Sequence, residues 1–271
     1  MATPSRNNEA ETFLIHHSSG TEATISLHGG HVISWKTPDG IERLFLSELA
    51  EFGEGKAIRG GVPVIFPQFS DHGPFGRHGF ARKSKWSRIG ETNKLRLEST
   101  PETLAEWPHE FELELEVVLS ATELHLRLEV TNTGGSEFQF HAALHTYLKT
   151  NDATTASVNG LEGLPFQNEV TKSMETDREP AVTFSTEIDR AYFGAGATTA
   201  ALTDPEYAIE ASAENFPDII VWNPGPDHGI GDLPADGWKS FVCIEGAKME
   251  DYETLAPGKS WRASQSLKAI T

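Results

Sequence analysis

The sequence predicts an all-β protein, a large antiparallel β-sandwich, read as one domain over residues 1–271. Three observations carry this. Apolar and polar residues alternate with period two in segment after segment, the signature of strands with one buried face. Turn signals separate the segments: PDG at 38–40, NTGG at 132–135, TDPE at 203–206 and APGK at 256–259. No helical stripe exceeds two turns, so the crossover helices that a parallel α/β sheet requires are missing.

The elements follow in chain order. Strands are expected at 11–17, 22–36 and 43–47, then a short helical turn near 48–53. A strand at 94–99 precedes a second helical turn near 102–107. "FELELEVVLS" (111–120) alternates apolar and acidic residues, and "ELHLRLEV" (123–130) puts Leu124, Leu126, Leu128 and Val130 on one face. Ala121-Thr122 links these two as a hairpin. Further strands are expected at 138–149, 181–185, 198–203, 207–211, 218–222, 239–245 and 261–269. A hydrophobic content of 38%, with 15 Phe and 6 Trp, is enough for the core between two such sheets.

The charge excludes several functions. With 22 Lys+Arg against 40 Asp+Glu, the formal net charge of −18 repels nucleic acid and anionic membrane surfaces. No apolar run is long enough to cross a bilayer. The opening "MATPSRNNEAE" lacks a basic region followed by an apolar one, so no signal peptide is expected. The lone Cys243 excludes an intrachain disulfide and fits a reducing compartment, with the cytoplasm expected. Nothing in the pattern indicates an obligate interface, so a monomer is expected.

One stretch departs from the acidic background. Between His72 and Gly90 there is no acid, while Arg77, Arg82, Lys83, Lys85 and Arg88 surround His78. The wider segment 57–86, "AIRGGVPVIFPQFSDHGPFGRHGFARKSKW", is rich in Gly and Pro and reads as ordered loops. Arg59 and Arg82 have the fork geometry that grips a phosphate by two hydrogen bonds. By composition alone, a solvated basic loop and a small-anion site fit equally well.

Two strands carry anomalies. In "FQFHAALHTYLKT" (138–150), Phe138, Phe140, Ala142 and Leu144 share one face. Gln139, His141, Ala143, His145 and Tyr147 share the other, which resembles the wall of a polar pocket. On a strand, His141 and His145 stand roughly 13 Å apart, too far to share a metal. Each alone fits a structural histidine as well as a functional one. In "WKSFVCIEGA" (238–247), Glu245 ends the row Phe241, Cys243, Glu245. Burial there would raise its pKa and make it a usable base. A strand-end glutamate reaching water past Gly246 fits equally. "EIDRAYFG" (187–194) and "VWNPG" (221–225) read as sugar-binding segments or as turns. The histidines of "HGGH" (28–31) and His72 lack zinc-site spacing, so no metal is expected.

Taken together and in order, "IRGGVPVIFPQF", "GPFGRHGFAR", "ALHTYL", "EIDRAYFG", "IVWNP" and "FVCIEGA" resemble the hexose-6-phosphate mutarotase family. That family, the glucose-6-phosphate 1-epimerases, is a branch of the aldose 1-epimerase superfamily. The matching pieces span residues from about 58 to 247. The resemblance implies a galactose mutarotase-like β-supersandwich with its site on a concave sheet. It implies an isomerase that interconverts the α and β anomers of a hexose 6-phosphate, glucose 6-phosphate first among them, without a cofactor. His145 and Glu245 would be the catalytic pair, with Glu245 the base on O1–H and His145, as imidazolium, the acid at O5. His78 would lie beside the sugar, Arg59 and Arg82 would bind the substrate at its phosphate, and Asp189 would contact it as well. Arg77 stands where relatives carry Gln, and Lys83 where Asn is common; Arg77 is taken as a substrate contact. The alternative is a non-catalytic β-sandwich that binds a carbohydrate or sugar phosphate.

Overall fold

The computed structural model describes residues 11–53 and 55–270. The N-terminal stretch read for a signal peptide lies outside them. The described residues form three antiparallel sheets. The largest has the strand order Ala181–Thr183, Ser157–Asn159, Ala200–Thr203, Ala208–Glu214, Ser260–Ile270, Glu123–Asn132, Phe111–Leu119, Lys94–Glu98, Ser87–Arg88. An eight-stranded sheet faces it, with the order Ser173–Thr176, Pro165–Asn168, Ile188–Tyr192, Asp218–Asn223, Phe241–Leu255, Phe138–Leu144, Val64–Ile65. Its eighth strand, Tyr147–Lys149, also pairs with Phe241–Leu255. A small sheet of Thr12–His16, Glu22–Ser26 and His31–Lys36 completes the set.

The alternation seen in the sequence becomes the core. Leu113, Leu115 and Val117 of one strand and Leu124, Leu126 and Leu128 of its neighbour point inward from the nine-stranded sheet. They meet Phe140, Ala142, Leu144, Val221 and Ile244 of the eight-stranded one. Burying each large apolar side chain is worth about 1.5–3 kcal/mol, which is what holds the layers together. The intervening residues face water. There Arg96 bridges Glu112 and Glu114 at 3.2 and 2.8 Å, half-buried surface pairs that contribute about 1 kcal/mol or less.

The second face of the eight-stranded sheet is different. It carries smaller apolar clusters, one of Ile65, Ala143, Ala191, Ile220 and Ala247, another of Phe45, Tyr147, Phe241 and Cys243. Loops from residues 59 to 83 and from 224 to 236 lie outside regular strands, apart from Val64–Ile65 and the 3-10 turn Ala81–Lys83. Among the described residues, no helix is long and apolar enough to cross a membrane.

Several expected boundaries shift. The strand expected at 22–36 is a hairpin, broken by a turn at the two glycines of "HGGH". The strand at 43–47 is a series of single bridges at Leu44 and Leu46. The helical turn near 102–107 is Pro101–Glu106, capped by the Thr100 side chain, but 48–53 forms only a bend and turn. The strand expected to end at 245 runs on to Leu255. Its acidic continuation "KMEDYETL" lacks an apolar row and includes a register shift between Lys248 and Glu253. There the Asp218 carboxylate accepts hydrogen bonds from the Met249 and Glu250 amides at 2.9 and 3.1 Å.

Candidate active site

The expected strand 138–149 breaks in two at His145-Thr146. Leu144 pairs with Gly246 and Tyr147 pairs with Cys243, so the same register sets His145 opposite Glu245. At the break the His145 amide turns away and donates to the Pro63 carbonyl at 3.0 Å. Both side chains project from the face opposite the main core. His145 Nε2 lies 3.3 Å from Glu245 Oε1. Both residues are buried, Glu245 at 2% exposure, so it does not reach water past Gly246. The His145 ring stacks on Tyr147 at 4.9 Å and 11° and meets the edge of Trp222 at 5.8 Å. These contacts fix its plane.

Burial dominates the electrostatics of the pair. It pushes the Glu245 carboxyl well above the usual carboxylate range, with Asp189 adding to the push and Arg82 opposing it. Burial, then Arg82 and Arg59, hold the His145 imidazole well below its ordinary value. Each group is thus drawn toward its neutral form. Among the described residues, His145 Nδ1 and Glu245 Oε2 are buried without a hydrogen-bond partner. Two orphaned polar atoms beside a cleft are what a polar ligand would satisfy.

Loops build the rest. Gln68 is almost fully buried and staples the segment after it: its Nε2 donates to the Ser70 and Phe75 carbonyls at 3.0 and 2.9 Å, and its Oε1 accepts from the Phe75 amide at 2.9 Å. His78 then sits at φ 61°, held by mutual bonds with Ser70. The His78 amide donates to the Ser70 carbonyl at 3.0 Å, and the Ser70 amide donates to His78 Nδ1 at 3.2 Å. With Nδ1 accepting, the neutral ring carries its proton on Nε2. Burial, Arg82 and His145 favour that neutral state. Gly79 follows at φ 63°, where a Cβ would stand 2.1 Å from the Phe66 carbonyl oxygen. Only glycine fits that approach.

The cations arrive from two sides. Arg59 Nε donates to Asp232 at 3.0 Å, and its Nη1 donates to the Tyr147 hydroxyl at 3.0 Å. Arg82 lies in the 3-10 turn Ala81–Lys83, which Trp86 anchors by donating Nε1–H to the Ala81 carbonyl at 2.9 Å. Arg82 Nη2 donates to the Arg77 carbonyl at 3.0 Å, while its Nε is buried without a partner. Burial pulls its guanidinium down to about 10. Arg77 is more exposed and lies 3.7 Å from Asp71. On the far side, Asp189 comes from Ile188–Tyr192, opposite Trp222 in register. Burial, then Glu169 and Glu187, raise its carboxyl to about 7.

All the predicted site residues, Arg59, Arg77, His78, Arg82, His145, Asp189 and Glu245, line one cleft of about 270 Å³. Other expectations fall elsewhere. His141 shares a strand face with His145 but stacks on Tyr252 at 4.0 Å, outside the cleft. Of the basic stretch, only Arg77 and Arg82 face the cleft. Lys83 lines a separate groove, Lys85 pairs with Glu11 at 2.9 Å, and Arg88 covers the Phe13 ring at 4.0 Å. In "HGGH", His28 and His31 donate Nε2–H to the Lys56 and Gly60 carbonyls at 2.6 and 2.7 Å. Asn223 braces the Trp238 and Phe241 carbonyls from within the core, while its neighbour Trp222 lines the cleft. Sequence reasoning missed Phe69, Ser70, Ile220 and Ile230 as lining residues, and Asp232 as the partner of Arg59. Only Ile220 lay on an expected strand; the others are loop residues without periodicity.

A carboxyl and an imidazole in contact in a small cleft, with guanidinium groups around them, have the chemistry to move protons to and from a polar ligand. Residues 11–268 match the aldose 1-epimerase family model. A protein of Cenchrus ciliaris, provisionally named glucose-6-phosphate 1-epimerase, is 36% identical over 267 residues, covering 92% of this chain and 81% of its own. One of the same provisional name from Escherichia coli K12 is 31% identical over 275 residues, covering 96% and 91%. A crystal structure from Salmonella typhimurium, provisionally a mutarotase (YeaD), superposes with a TM-score of 0.87 at 27% identity, covering 98% of this chain and 92% of that one. The chain belongs to the aldose 1-epimerase family and is a sugar epimerase.

Proposed function

We propose that the protein interconverts the α and β anomers of a hexose 6-phosphate, glucose 6-phosphate in the first instance, with Glu245 and His145 as its acid–base pair. The single observation that carries this is the 3.3 Å contact between them at the floor of a cleft also lined by Arg59, Arg77 and Arg82.

The chemistry follows from one shared proton. A neutral carboxyl beside a neutral imidazole, and a carboxylate beside an imidazolium, differ only by which partner holds it. In the charged form, Glu245 takes the proton from O1–H as His145 gives one to the ring oxygen O5. The C1–O5 bond breaks and C1 becomes an aldehyde. The pair is then neutral, the form that burial favours, so ring opening relaxes the site. Rotation about C1–C2 presents the other carbonyl face. O5 attacks C1, His145 recovers the O5 proton, and Glu245 returns its proton to O1. Each transfer is worth about 10²–10⁴-fold. The arginines that depress His145 would meet a phosphate dianion, which counters their field and eases formation of the imidazolium. On this reading His78 Nε2–H and Asp189, both lining the cleft, bind hydroxyls.

This reading gives the enzyme a small anionic substrate and no partner subunit, with the chain working as one domain. The buried Cys243 fits a reducing compartment, and the reading assigns the cytoplasm.

Exchange spectroscopy by NMR on glucose 6-phosphate tests it. The protein should accelerate α/β exchange, and His145→Ala or Glu245→Gln should cut kcat about 10²-fold or more with circular dichroism unchanged. Full rates in both variants would refute the assignment. Saturable binding without faster exchange would favour the non-catalytic alternative.

A further inference from the structure

Beside the break at His145-Thr146, side-chain hydrogen bonds reach through the core to the residues that flank the pair. Thr146 Oγ1 donates to Gln265 Oε1 at 2.6 Å. Gln265 Nε2 donates to the Ile244 carbonyl at 3.0 Å. The Ile244 amide donates to the Thr146 carbonyl at 3.1 Å. These three bonds close a ring. Its members are the residue after His145, the residue before Glu245, and a side chain from the opposite sheet.

Gln265 is an anomaly in its own strand. Ser260–Ile270 alternates, and Ala263, Gln265, Leu267 and Ala269 share its buried face. Gln265 pairs in register with the buried Leu126 and is itself only 2% exposed; Thr146 is wholly buried. A polar side chain among leucines is unfavourable unless fully bonded, and an apolar residue of that size would pack as well. Here both ends of the amide are satisfied, one by the hydroxyl of the residue after His145 and the other by the carbonyl of the residue before Glu245.

We infer that Gln265 is a positioning residue, which ties the Thr146 hydroxyl to the Ile244 carbonyl across the sandwich and thereby sets the spacing of His145 and Glu245. The inference rests on those two being the acid–base pair. Thr146 is the other half of the tie. A reaction that moves protons between a fixed pair and two substrate oxygens loses about 10²-fold for a displacement near 1 Å.

The experiment uses the full chain in Gln265→Met, Thr146→Val, the double variant and Thr146→Ser. Each single loss should lower kcat for anomer exchange about 10- to 100-fold while KM stays within about twofold. The double variant should be no slower than the worse single, because both break one linkage. Thr146→Ser, which keeps the hydroxyl, should stay close to the parent. The ¹⁵N and ¹H signals of His145 should move in Gln265→Met, whereas those of His78 should not. The inference fails if a folded Gln265→Met keeps its kcat and its His145 signals, or if kcat and KM worsen together in step with lost thermal stability. It also fails if the two single losses multiply in the double variant. Should Gln265→Met not fold, Thr146→Val against Thr146→Ser decides by the same criteria. The outcomes separate from the parent reading: inactive His145→Ala and Glu245→Gln with an unaffected Gln265→Met would end the tie alone, whereas active His145→Ala and Glu245→Gln would end both.

Discussion

At the scale of one residue, Asp189 shows what the cleft costs the fold. Its carboxyl is pushed from 3.8 up to about 7 by burial, with Glu169 and Glu187 adding to it and Lys172 and Arg77 opposing. The folded protein therefore keeps a proton that the unfolded chain releases. The stability tied to that proton is fully present below about pH 4 and is lost as pH rises through about 7. Asp189→Asn removes the ionisation, so it should raise Tm at pH 8, by about 2–4 °C for each kcal/mol recovered, with the gain vanishing near pH 4. Calorimetry at the two pH values measures this, and an equal gain at both would contradict it. The same variant should bind substrate less well, a trade of stability against function that buried acids in clefts commonly show.

At the scale of elements, the loop that carries His78 depends on backbone approach rather than on side-chain packing. A Cβ at Gly79 would stand 2.1 Å from the Phe66 carbonyl oxygen, whereas one at Gly194, also at positive φ (69°), meets nothing within 4 Å. Alanine at either position costs about 1–2 kcal/mol for the left-handed backbone. Gly79→Ala adds a collision that shifts His78. It should therefore destabilise more than Gly194→Ala, and of the two only Gly79→Ala should lower kcat/KM; equal effects on both readouts would remove the steric argument. This contrast also explains what was legible in the sequence. Strands with one buried face, such as 111–120 and 123–130, declare themselves by alternation, and they formed almost as expected. Short strands such as Ser157–Asn159 and Ser173–Thr176 hold too few residues for a period to register. The first three residues of Ile188–Tyr192 are only partly buried and lack an apolar alternation, so its strand character was hidden behind Asp189 and Arg190. The site residues were legible as motifs, but their spacing was not. It is set by a strand break and by hydrogen bonds that reach across the sandwich, as from Thr146 to Gln265, 119 positions apart.

At the scale of the whole molecule, charge has to be concentrated locally against an adverse total. The chain carries −18, and the acid-free stretch from His72 to Gly90 is its exception. Folding divides that stretch. Lys85 and Arg88 go to surface partners, while Arg77 and Arg82 turn into the cleft to join Arg59. At physiological salt, exposed charges fade over about 8 Å, so the acidic exterior is screened from an anion at the cleft floor far more than the arginines within contact distance are. Arg82 is the most informative of the three. Its Nε is buried without a partner, and its guanidinium is drawn down by burial, so it gains most from an anion. A hydrogen bond to a charged group is worth about 1.5–3 kcal/mol, or roughly 10- to 100-fold in binding. Arg82→Ala should raise KM for glucose 6-phosphate by that factor and leave KM for any exchange of unphosphorylated glucose within about twofold, both followed by NMR exchange. Equal losses on the two sugars would mean that Arg82 holds the loop and not the phosphate, and the positive face of the cleft would then be structural.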